Sequence, residues 1–301
     1  MEEYGMSGKY ESLKKEIPIH GREGIVKLGA VLEQDFFEYD SISVRYCLVD
    51  GCGMIPEETD KLHTHDYDQV LWFLSSDPED MLHLGAELEI DLGETGIRHR
   101  MATPHAVYIP KGTPHFSPIV TGIDRPFFFI SLNSTGKLAA SVADEAAKPE
   151  TGPWARFFGE FSKYVHALNF SAYEPYHYGS ERPQALGGYS TFYSAGEEKK
   201  ITMAWTSICK PAFLGPWGPD GKHHPHTHQD YDEALIFLSM DTDNLTDLHG
   251  EVDICCGEEE ELEHYILTKS TVMALKKGAP HLPLYFRKID KPYVFITLSA
   301  H

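Results

Sequence analysis

The sequence has little positive charge, and it contains no long apolar run. Lysine and arginine number 26 against 46 aspartate and glutamate residues, so the formal net charge is −20 at pH 7. This balance argues against binding to nucleic acid or to anionic membranes, because both need a basic surface. No apolar stretch approaches the roughly 20 residues that cross a bilayer. Residues 1–15 are polar and have no signal-peptide core, so the sequence predicts a cytoplasmic protein.

Cysteine is also scarce. The 301 residues contain five cysteines without CxxC pairing, which argues against a disulfide scaffold and favours a reducing compartment. These residues are Cys47, Cys52, Cys209, Cys255 and Cys256. Histidine, in contrast, is abundant at seventeen residues. The first question about function is therefore whether the histidines are scattered or clustered.

The sequence repeats itself once, at a period of about half its length. Residues 66–74 (DYDQVLWFL) recur as 230–238 (DYDEALIFL), and residues 123–132 recur as 289–298. Each copy also has a His-Thr-His triplet before the first of these segments and a Gly-x-Pro-His turn before the second. A unit of roughly a hundred residues is large enough to be a domain with its own core. The repeat therefore predicts two similar domains in one chain.

Within a copy the pattern is typical of β-strands. Short segments rich in Val, Ile, Phe and Tyr are separated by Gly, Pro and Asp. In the first copy they are 41–49, 70–74, 86–92, 106–109 and 127–132. Many short strands without long helical stretches predict an all-β sandwich or barrel. Between the copies, residues 155–168 (ARFFGEFSKYVHAL) have aromatics at mixed spacing and are compatible with a helix that packs between the barrels.

Six histidines occupy matching positions in the two copies. Each triplet has histidines at i and i+2, which places both imidazoles on one face of a strand. A third histidine follows the glycine-containing turn. If each copy closes into a barrel, the three can converge in its interior, where imidazoles around an open position form a divalent metal site. The six are His63, His65 and His115 in the first copy and His226, His228 and His281 in the second.

The fourth candidate ligand differs between the copies. Glu233 follows His228 by five residues, whereas Gln69 follows His65 by four. The odd spacing needs a turn or bulge if the side chain is to face the histidine pair. Glu233 would partly offset the charge of a dication. Gln69 would offer only a neutral amide oxygen, which leaves a more electrophilic metal or a vacated ligand position.

This order of residues resembles the two signature motifs of the cupin superfamily. The matching stretches are His63-x-His65-x3-Gln69 with Pro110-x-Gly112-x-x-His115, and His226-x-His228-x4-Glu233 with Lys276-x-Gly278-x-x-His281. With two copies, the chain is similar to a bicupin from about residue 30 onward. Two positions depart from the family pattern, since Gln69 stands where Glu is usual and Lys276 where Pro is usual. The first departure puts the occupancy of the first metal site in doubt.

The resemblance implies an all-β fold of two double-stranded β-helix (jelly-roll) barrels. It implies an N-terminal arm at 1–20, barrels at 21–133 and 186–301, and a linker at 134–185. Each barrel would hold up to one divalent transition metal, with iron, manganese, nickel, zinc and copper all acceptable to such ligands. A small-molecule substrate is implied, and homo-oligomers could form through barrel edges.

The reaction stays open, because cupins include dioxygenases, decarboxylases, isomerases, lyases and non-catalytic proteins. We expect a metal-dependent enzyme acting on a small oxygenated or carboxylated substrate, by dioxygenase-like or oxygen-independent chemistry. The alternative is a non-catalytic metal- or small-molecule-binding bicupin of the sensor or storage type.

Three further charged residues are candidates for the chemistry. Glu87 and Glu251 recur at matching positions, and an inward side chain could act as a general base, although a solvated strand edge explains them as well. Arg45 is a lone cation on a predicted strand. It could bind a substrate carboxylate through its two-pronged guanidinium, or it could be paired at the surface.

The adjacent thiols of Cys255 and Cys256 carry no ligand motif. They fall on a predicted strand, and we expect them to be buried and inert. His264 has no ligand spacing either. The sequence therefore assigns no role to this part of the second copy.

Overall fold

The computed structural model describes residues 8–39, 41–56, 59, 61–93, 97–138, 141–142, 165–167, 171–172, 186–193, 200–215, 224–258 and 261–300. Its strands up to the end of the first copy are β1 (Lys14–Glu16), β2 (Val26–Leu32), β3 (Ser43–Val49), β4 (Gly53–Met54), β5 (His63–Thr64), β6 (Gln69–Ser75), β7 (Ala86–Leu92), β8 (Ile97–Met101), β9 (His105–Ile109), β10 (Ile119–Ile123) and β11 (Phe127–Asn133). The remaining strands are β12 (Ser141–Val142), β13 (Val165–Ala167), β14 (Ser171–Ala172), β15 (Leu186–Tyr193), β16 (Lys200–Ile208), β17 (Ala212–Leu214), β18 (Asp232–Ser239), β19 (Asp247–Cys256), β20 (Glu263–Lys269), β21 (Thr271–Leu275), β22 (His281–Ile289) and β23 (Tyr293–Ala300). Helix is confined, in this part of the chain, to a 3-10 turn at Glu11–Leu13 and the single turn α1 at Gln34–Phe37.

The all-β prediction is confirmed, and each predicted strand of the first copy is present within two residues of its expected ends. Strand β7 shows why the pattern was readable. Its apolar residues, beginning with Ala86 and Leu88, are buried, and the acids between them lie on the wetter face. This period-2 alternation is the signature of a strand with one side packed on a core.

Each half consists of two antiparallel sheets that enclose a hydrophobic core. In the first half the sheet orders are β13-β9-β6-β11-β3-β2 and β4-β10-β7-β8. In the second half they are β1-β21-β18-β23-β16-β15-β14 and β17-β22-β19-β20. The apolar residues that face inward form one core cluster per half. The prediction of two β-barrels in one chain is thus confirmed.

A third hydrophobic core joins the halves. The six-stranded sheet of the first half and the seven-stranded sheet of the second contribute alternate side chains to it, including the fully buried Trp72, Phe128 and Trp205. The rings of Phe128 and Trp205 meet with centroids 5.8 Å apart. Burying each such side chain stabilises the folded state by about 1.5–3 kcal/mol. The two barrels therefore share apolar surface that would be exposed if they separated.

Two short strands from outside the repeats extend the sheets of the barrels. Strand β1 of the predicted N-terminal arm pairs with β21 of the second barrel, Lys14 lying opposite Met273. Strand β13 of the predicted linker pairs with β9 of the first barrel, Val165 lying opposite Val107. Each barrel thus includes a paired strand that lies outside its own repeat in the sequence.

The predicted helix at 155–168 falls mostly outside the described residues. Its described part, Val165–Ala167, is strand β13, so the helix prediction is wrong for these three residues. The aromatic and β-branched side chains suit the edge of a sheet as well as a helix, and pairing with β9 decides between them. The predicted domain boundaries remain predictions.

All five cysteines are free thiols. Among the described residues, no helix is long and apolar enough to span a membrane.

Candidate metal centres

The first cluster lies inside the first barrel and consists of His63, His65 and His115. One ring nitrogen from each lies within 4.8 Å of the others. The ring centroids are 4.2 Å apart for His63 and His115, 5.0 Å for His63 and His65, and 5.1 Å for His65 and His115. All three side chains are buried. The predicted convergence of the three histidines is present in the folded chain.

Backbone pairing explains how a distant histidine reaches the triplet. His63 and His115 exchange two backbone hydrogen bonds of 3.0 Å each. The turn before His115 is held by the amide of Gly112, which donates to the carbonyl of His65 over 2.7 Å. Gly112 has φ of 75°, a conformation that only glycine adopts without strain. The glycine of the repeated turn thus places the third imidazole beside the first two.

Hydrogen bonds fix the protonation of two of these rings. Nδ1 of His63 donates to the carbonyl of Lys61 over 2.7 Å, and Nδ1 of His115 donates to the carbonyl of Thr113 over 2.9 Å. The lone pair of each neutral ring is then on Nε2. Both Nε2 atoms are buried and have no hydrogen-bond partner among the described residues. A buried polar atom without a partner costs about 1–3 kcal/mol, which a bound cation would offset.

The electrostatics also favour neutral, ligating imidazoles. Burial lowers the pKa of His115 well below its ordinary value, and the neighbouring His63 and His65 lower that pKa further. A proton on Nε2 of His115 would be desolvated and repelled. A divalent metal fits the same atoms, because it takes up the lone pairs that face one another.

Gln69, the fourth residue of the predicted ligand set, is buried at the start of β6, on the same face of the strand as the core residues Leu71 and Phe73. Its amide nitrogen donates to Ser131 Oγ over 3.1 Å, and Ser131 Oγ donates to Asn133 Oδ1 over 3.3 Å. With the nitrogen used in this way, the amide oxygen is the atom that Gln69 could offer a cation. No sequence signal had selected Ser131 or Asn133, because serine and asparagine at strand ends are common.

The second cluster, inside the second barrel, repeats this arrangement. Ring centroids are 4.4 Å apart for His226 and His281, 4.9 Å for His226 and His228, and 5.4 Å for His228 and His281. Nδ1 of His281 donates to the carbonyl of Ala279 over 2.9 Å, as its counterpart does in the first barrel. The repeat in the sequence is therefore a repeat of ligand geometry.

Glu233 lies at the same centre. Its Oε2 is 3.4 Å from Nε2 of His228 and 3.2 Å from Nε2 of His281. Nε2 of His226 and Nε2 of His228 are 3.3 Å apart. Two atoms that bind one ion at about 2.0–2.2 Å lie about 2.8–3.6 Å apart at tetrahedral or octahedral angles. The donor set therefore fits a single transition-metal ion.

Its two histidine neighbours keep the Glu233 carboxyl acidic. Burial raises the pKa of this carboxyl, but the nearby His228 and His281 lower it by more, so that the net pKa lies well below the ordinary value. An anionic carboxylate is also what a metal ligand must supply.

The extra residue in the second motif is absorbed in a loop. Tyr67 stacks on His65 with ring centroids 4.6 Å apart, and Tyr231 stacks on His228 at 4.4 Å, although the second pair is one residue further apart in sequence. The hydroxyl of Tyr231 is 2.6 Å from Nδ1 of His228. The fourth positions therefore regain the same register, since Gln69 pairs with Asn133 and Glu233 with Ser299 at matching points of their sheets.

The two candidate general bases lie elsewhere. Glu87 is exposed on β7, between the inward-facing Ala86 and Leu88, and it borders an open depression of about 520 Å³ on the outside of the barrel. Glu251 pairs with Lys288 in the outer sheet of the second barrel, and its charge acts on Arg287 and Lys288. Neither carboxylate is brought to a histidine cluster.

Arg45 lies on the interior face of the first barrel, which the sequence alone did not decide. On β3, Cys47 and Val49 face the core of the first barrel, and Arg45 shares their alternation. It pairs across the ladder with Ser131, the partner of Gln69, and its Nη1 donates to the carbonyl of Pro56 over 2.9 Å. At the matching ladder position of the second barrel stands Ala204.

The comparisons with known proteins bear on the fold. No protein-family profile matches the sequence, and no curated protein matches it. Similar solved structures include the oxalate decarboxylase of Bacillus subtilis, in work on its Mn(II) centres, with TM-score 0.57 and 13% identity, covering 95% of this chain and 76% of that one. A tryptophan-to-phenylalanine variant of that enzyme matches with the same values. A further oxalate decarboxylase structure, on its substrate binding mode, has TM-score 0.56 at 13% identity and the same coverage.

Likeness at this identity shows the fold and not the activity. The matched enzyme is a bicupin, and the match spans both halves of this chain. This chain therefore has the two-barrel fold of the matched bicupin, with a cluster of three histidines in each barrel.

Proposed function

We propose that this chain is a metal-dependent bicupin enzyme that acts on a small carboxylated substrate. The observation that carries the proposal is the arrangement of three imidazoles in each barrel, with one ring nitrogen from each within 4.8 Å of the others. Backbone carbonyls engage Nδ1 of His63, His115 and His281, which leaves Nε2 of these rings as the ligating atom. This arrangement suits metal ligation, because each imidazole is oriented before any ion is bound.

His226, His228, His281 and Glu233 would hold a divalent ion in the second barrel. His63, His65 and His115 would hold one in the first, with Gln69 as a neutral fourth donor. Such donors accept iron, manganese, nickel, zinc or copper. Manganese is the first ion to test, because the structurally similar oxalate decarboxylase has Mn(II) centres. When bound, the ion supplies a Lewis acid that binds a substrate oxygen and stabilises negative charge developing there.

The first barrel is the better candidate for the substrate site. Arg45 lies on its interior face, opposite Ser131, where a guanidinium can hold a carboxylate through two parallel hydrogen bonds. Gln69 adds no negative charge to repel an anion. In the second barrel the corresponding positions are Ala204 and Glu233, a methyl group and a carboxylate. An anionic substrate is thus favoured by the charges of the first barrel over those of the second.

The test combines metal analysis with a substrate screen. Protein purified without added metal would be loaded with Mn(II) and analysed for metal content, beside His228→Ala and His65→Ala variants. We expect each variant to lose about one ion per chain. The loaded protein would then be assayed on oxalate, other dicarboxylates and hydroxy acids, with and without oxygen.

Two results would contradict the proposal. Metal content that is negligible in the native protein and unchanged by both substitutions would refute metal dependence. Stable metal loading without turnover of any carboxylate would favour a binding protein instead. Dependence of turnover on oxygen, with oxygen consumed in proportion to product, would identify dioxygenase chemistry.

A further inference from the structure

A third group of metal-binding side chains lies on the outer surface of the second barrel. Asp253 and Cys255 are at i and i+2 on β19, and His264 is directly opposite Cys255 on β20. Nδ1 of His264 is 3.0 Å from each carboxylate oxygen of Asp253 and 3.5 Å from Sγ of Cys255. One donor atom from each residue lies within 4.8 Å of the other two.

Asp253 and Cys255 are on the face of β19 that is turned away from the barrel interior, and His264 lies beside them on β20. Val252, Ile254 and Cys256 belong to the interior core, so the residues that alternate with them face outward. Asp253 and Cys255 are nevertheless 1% and 0% exposed, whereas the side chain of His264 is 52% exposed. The cluster therefore has two buried donors and one that opens to solvent, which provides a path for an ion.

The distances suit a common ion. A nitrogen or oxygen at about 2.0–2.2 Å and a sulfur at about 2.3 Å from one ion lie roughly 2.8–3.6 Å from each other. The measured separations of 3.0 and 3.5 Å fall in this range. A thiolate, an imidazole and a carboxylate together favour zinc and similar borderline-soft ions over calcium or magnesium.

Arg287 prepares Asp253 for this role. Its Nε donates to Oδ2 of Asp253 over 2.9 Å, and its Nη2 donates to the same oxygen. The guanidinium lies over the ring of Tyr285, 5.2 Å from the centroid. Oδ1 is then left facing His264. The positive charge of Arg287 opposes a cation, but the carboxylate and a thiolate together outnumber it by one negative charge.

The thiol is protonated before any ion arrives. Burial raises the pKa of Cys255 to about 12, and the charge of Asp253 adds to this effect. An incoming ion must therefore displace the thiol proton: the metal–sulfur bond forms, the sulfur–hydrogen bond breaks, and the proton passes to water. Such binding strengthens as pH rises.

We propose that Asp253, Cys255 and His264 form a zinc-class metal site on the outside of the second barrel, separate from both histidine clusters. The site would join β19 to β20. On the interior side of the same wall, Cys256 pairs with His281, so the ion would fix the strand that lies beside the second histidine cluster. This proposal does not depend on the proposed enzyme function.

Cobalt(II) titration of the full chain tests the site, because the two histidine clusters contain no sulfur. A thiolate ligand adds a sulfur-to-cobalt charge-transfer band in the near ultraviolet, which imidazole and carboxylate ligands do not give. We expect the native chain to develop this band within three equivalents, one for each proposed centre, and Cys255→Ser and His264→Ala to lose it. Cys52→Ser and Cys209→Ser are matched controls, since both remove an exposed thiol. They should keep the band.

Circular dichroism and melting of the metal-free variants, recorded in parallel, separate loss of the site from loss of the fold. A native chain without the band overturns the proposal. So does a band that survives in folded Cys255→Ser, or one that disappears equally in either control. Zinc should suppress the cobalt band by competition, and failure of a large zinc excess to do so would exclude a zinc-class site.

Discussion

The two histidine clusters have the same scaffold and different charges. Their ring separations agree within 0.3 Å pair by pair, at 4.2, 5.0 and 5.1 Å in the first barrel and 4.4, 4.9 and 5.4 Å in the second. The fourth ligand position carries a neutral amide in the first barrel and a carboxylate in the second. The residue paired with Ser131 in the first barrel is Arg45, and the residue paired with Thr297 in the second barrel is Ala204. The barrel scaffold thus positions three histidines in the same way in both halves. The side chains at two further positions differ between the halves and set the charge near these histidines.

The largest expected effect is the loss of one metal centre at a time. His115→Ala and His281→Ala remove the equivalent ligand from the first and second barrel, respectively. Each should lower the metal content by about one ion per chain, because three imidazole ligands are reduced to two. If the first barrel holds the substrate, only His115→Ala should abolish turnover directly. If both variants lose activity equally while the remaining centre of each still holds its ion, the proposal that the substrate binds in the first barrel is contradicted.

Exchanging the fourth ligand should have the next largest effect. Glu233→Gln removes the only carboxylate of the second cluster and should weaken metal binding there by about 100-fold, or roughly 2.7 kcal/mol. Gln69→Glu should strengthen metal binding in the first barrel while weakening carboxylate binding, because the new charge repels an anion. Competition with a chelator measures the first quantity and calorimetry with a dicarboxylate the second. Unchanged affinities in both would mean that neither side chain reaches the ion.

Removing Arg45 tests the anion-binding difference. Arg45→Ala should raise KM for a carboxylate substrate by about 10–100-fold, equivalent to the 1.5–3 kcal/mol of a charge-assisted hydrogen bond. Arg45→Lys should recover part of this, since it keeps the charge but not the two-pronged geometry. The metal content should not change. An unaltered KM with a normal metal content would assign Arg45 to structure alone.

The smallest effect is expected from the tyrosine beside the second cluster. Tyr231→Phe keeps the ring that stacks on His228 but removes the hydroxyl 2.6 Å from Nδ1. Outer hydrogen bonds of this kind contribute about 10–100-fold to metal affinity, and we expect the lower limit here. Tyr67→Phe is the matched variant in the first barrel. Chelator competition on both variants would show whether the hydroxyls orient the histidines or only fill space.

The sequence predicted the fold well where the information was local or repeated. Alternating apolar residues predicted strands such as β7, and the repeated motifs placed six histidines in two groups of three. Glycine in the turn before His115 was enough to indicate that the third imidazole returns to the first two.

The sequence alone could not predict features that depend on how the strands pair. A shift of one residue turns a side chain to the other face of a sheet, so the sequence could not decide that Arg45 faces the barrel interior. The same limit hid the third cluster. Cys255 and His264 are nine residues apart and meet only because β19 and β20 pair in a particular register.

The pairing of the N-terminal strand β1 with the second barrel has a consequence for the expression of fragments of this chain. A polypeptide that ends near residue 138 would carry Lys14–Glu16 without Thr271–Leu275 to pair with. A polypeptide that contains only the second half would have β21 as an open edge, which invites edge-to-edge association. Since the halves also share a hydrophobic core, we expect neither fragment to fold as stably as the whole chain, although the sequence contains two similar units. The unit that is duplicated in the sequence is therefore smaller than the unit that must be expressed together.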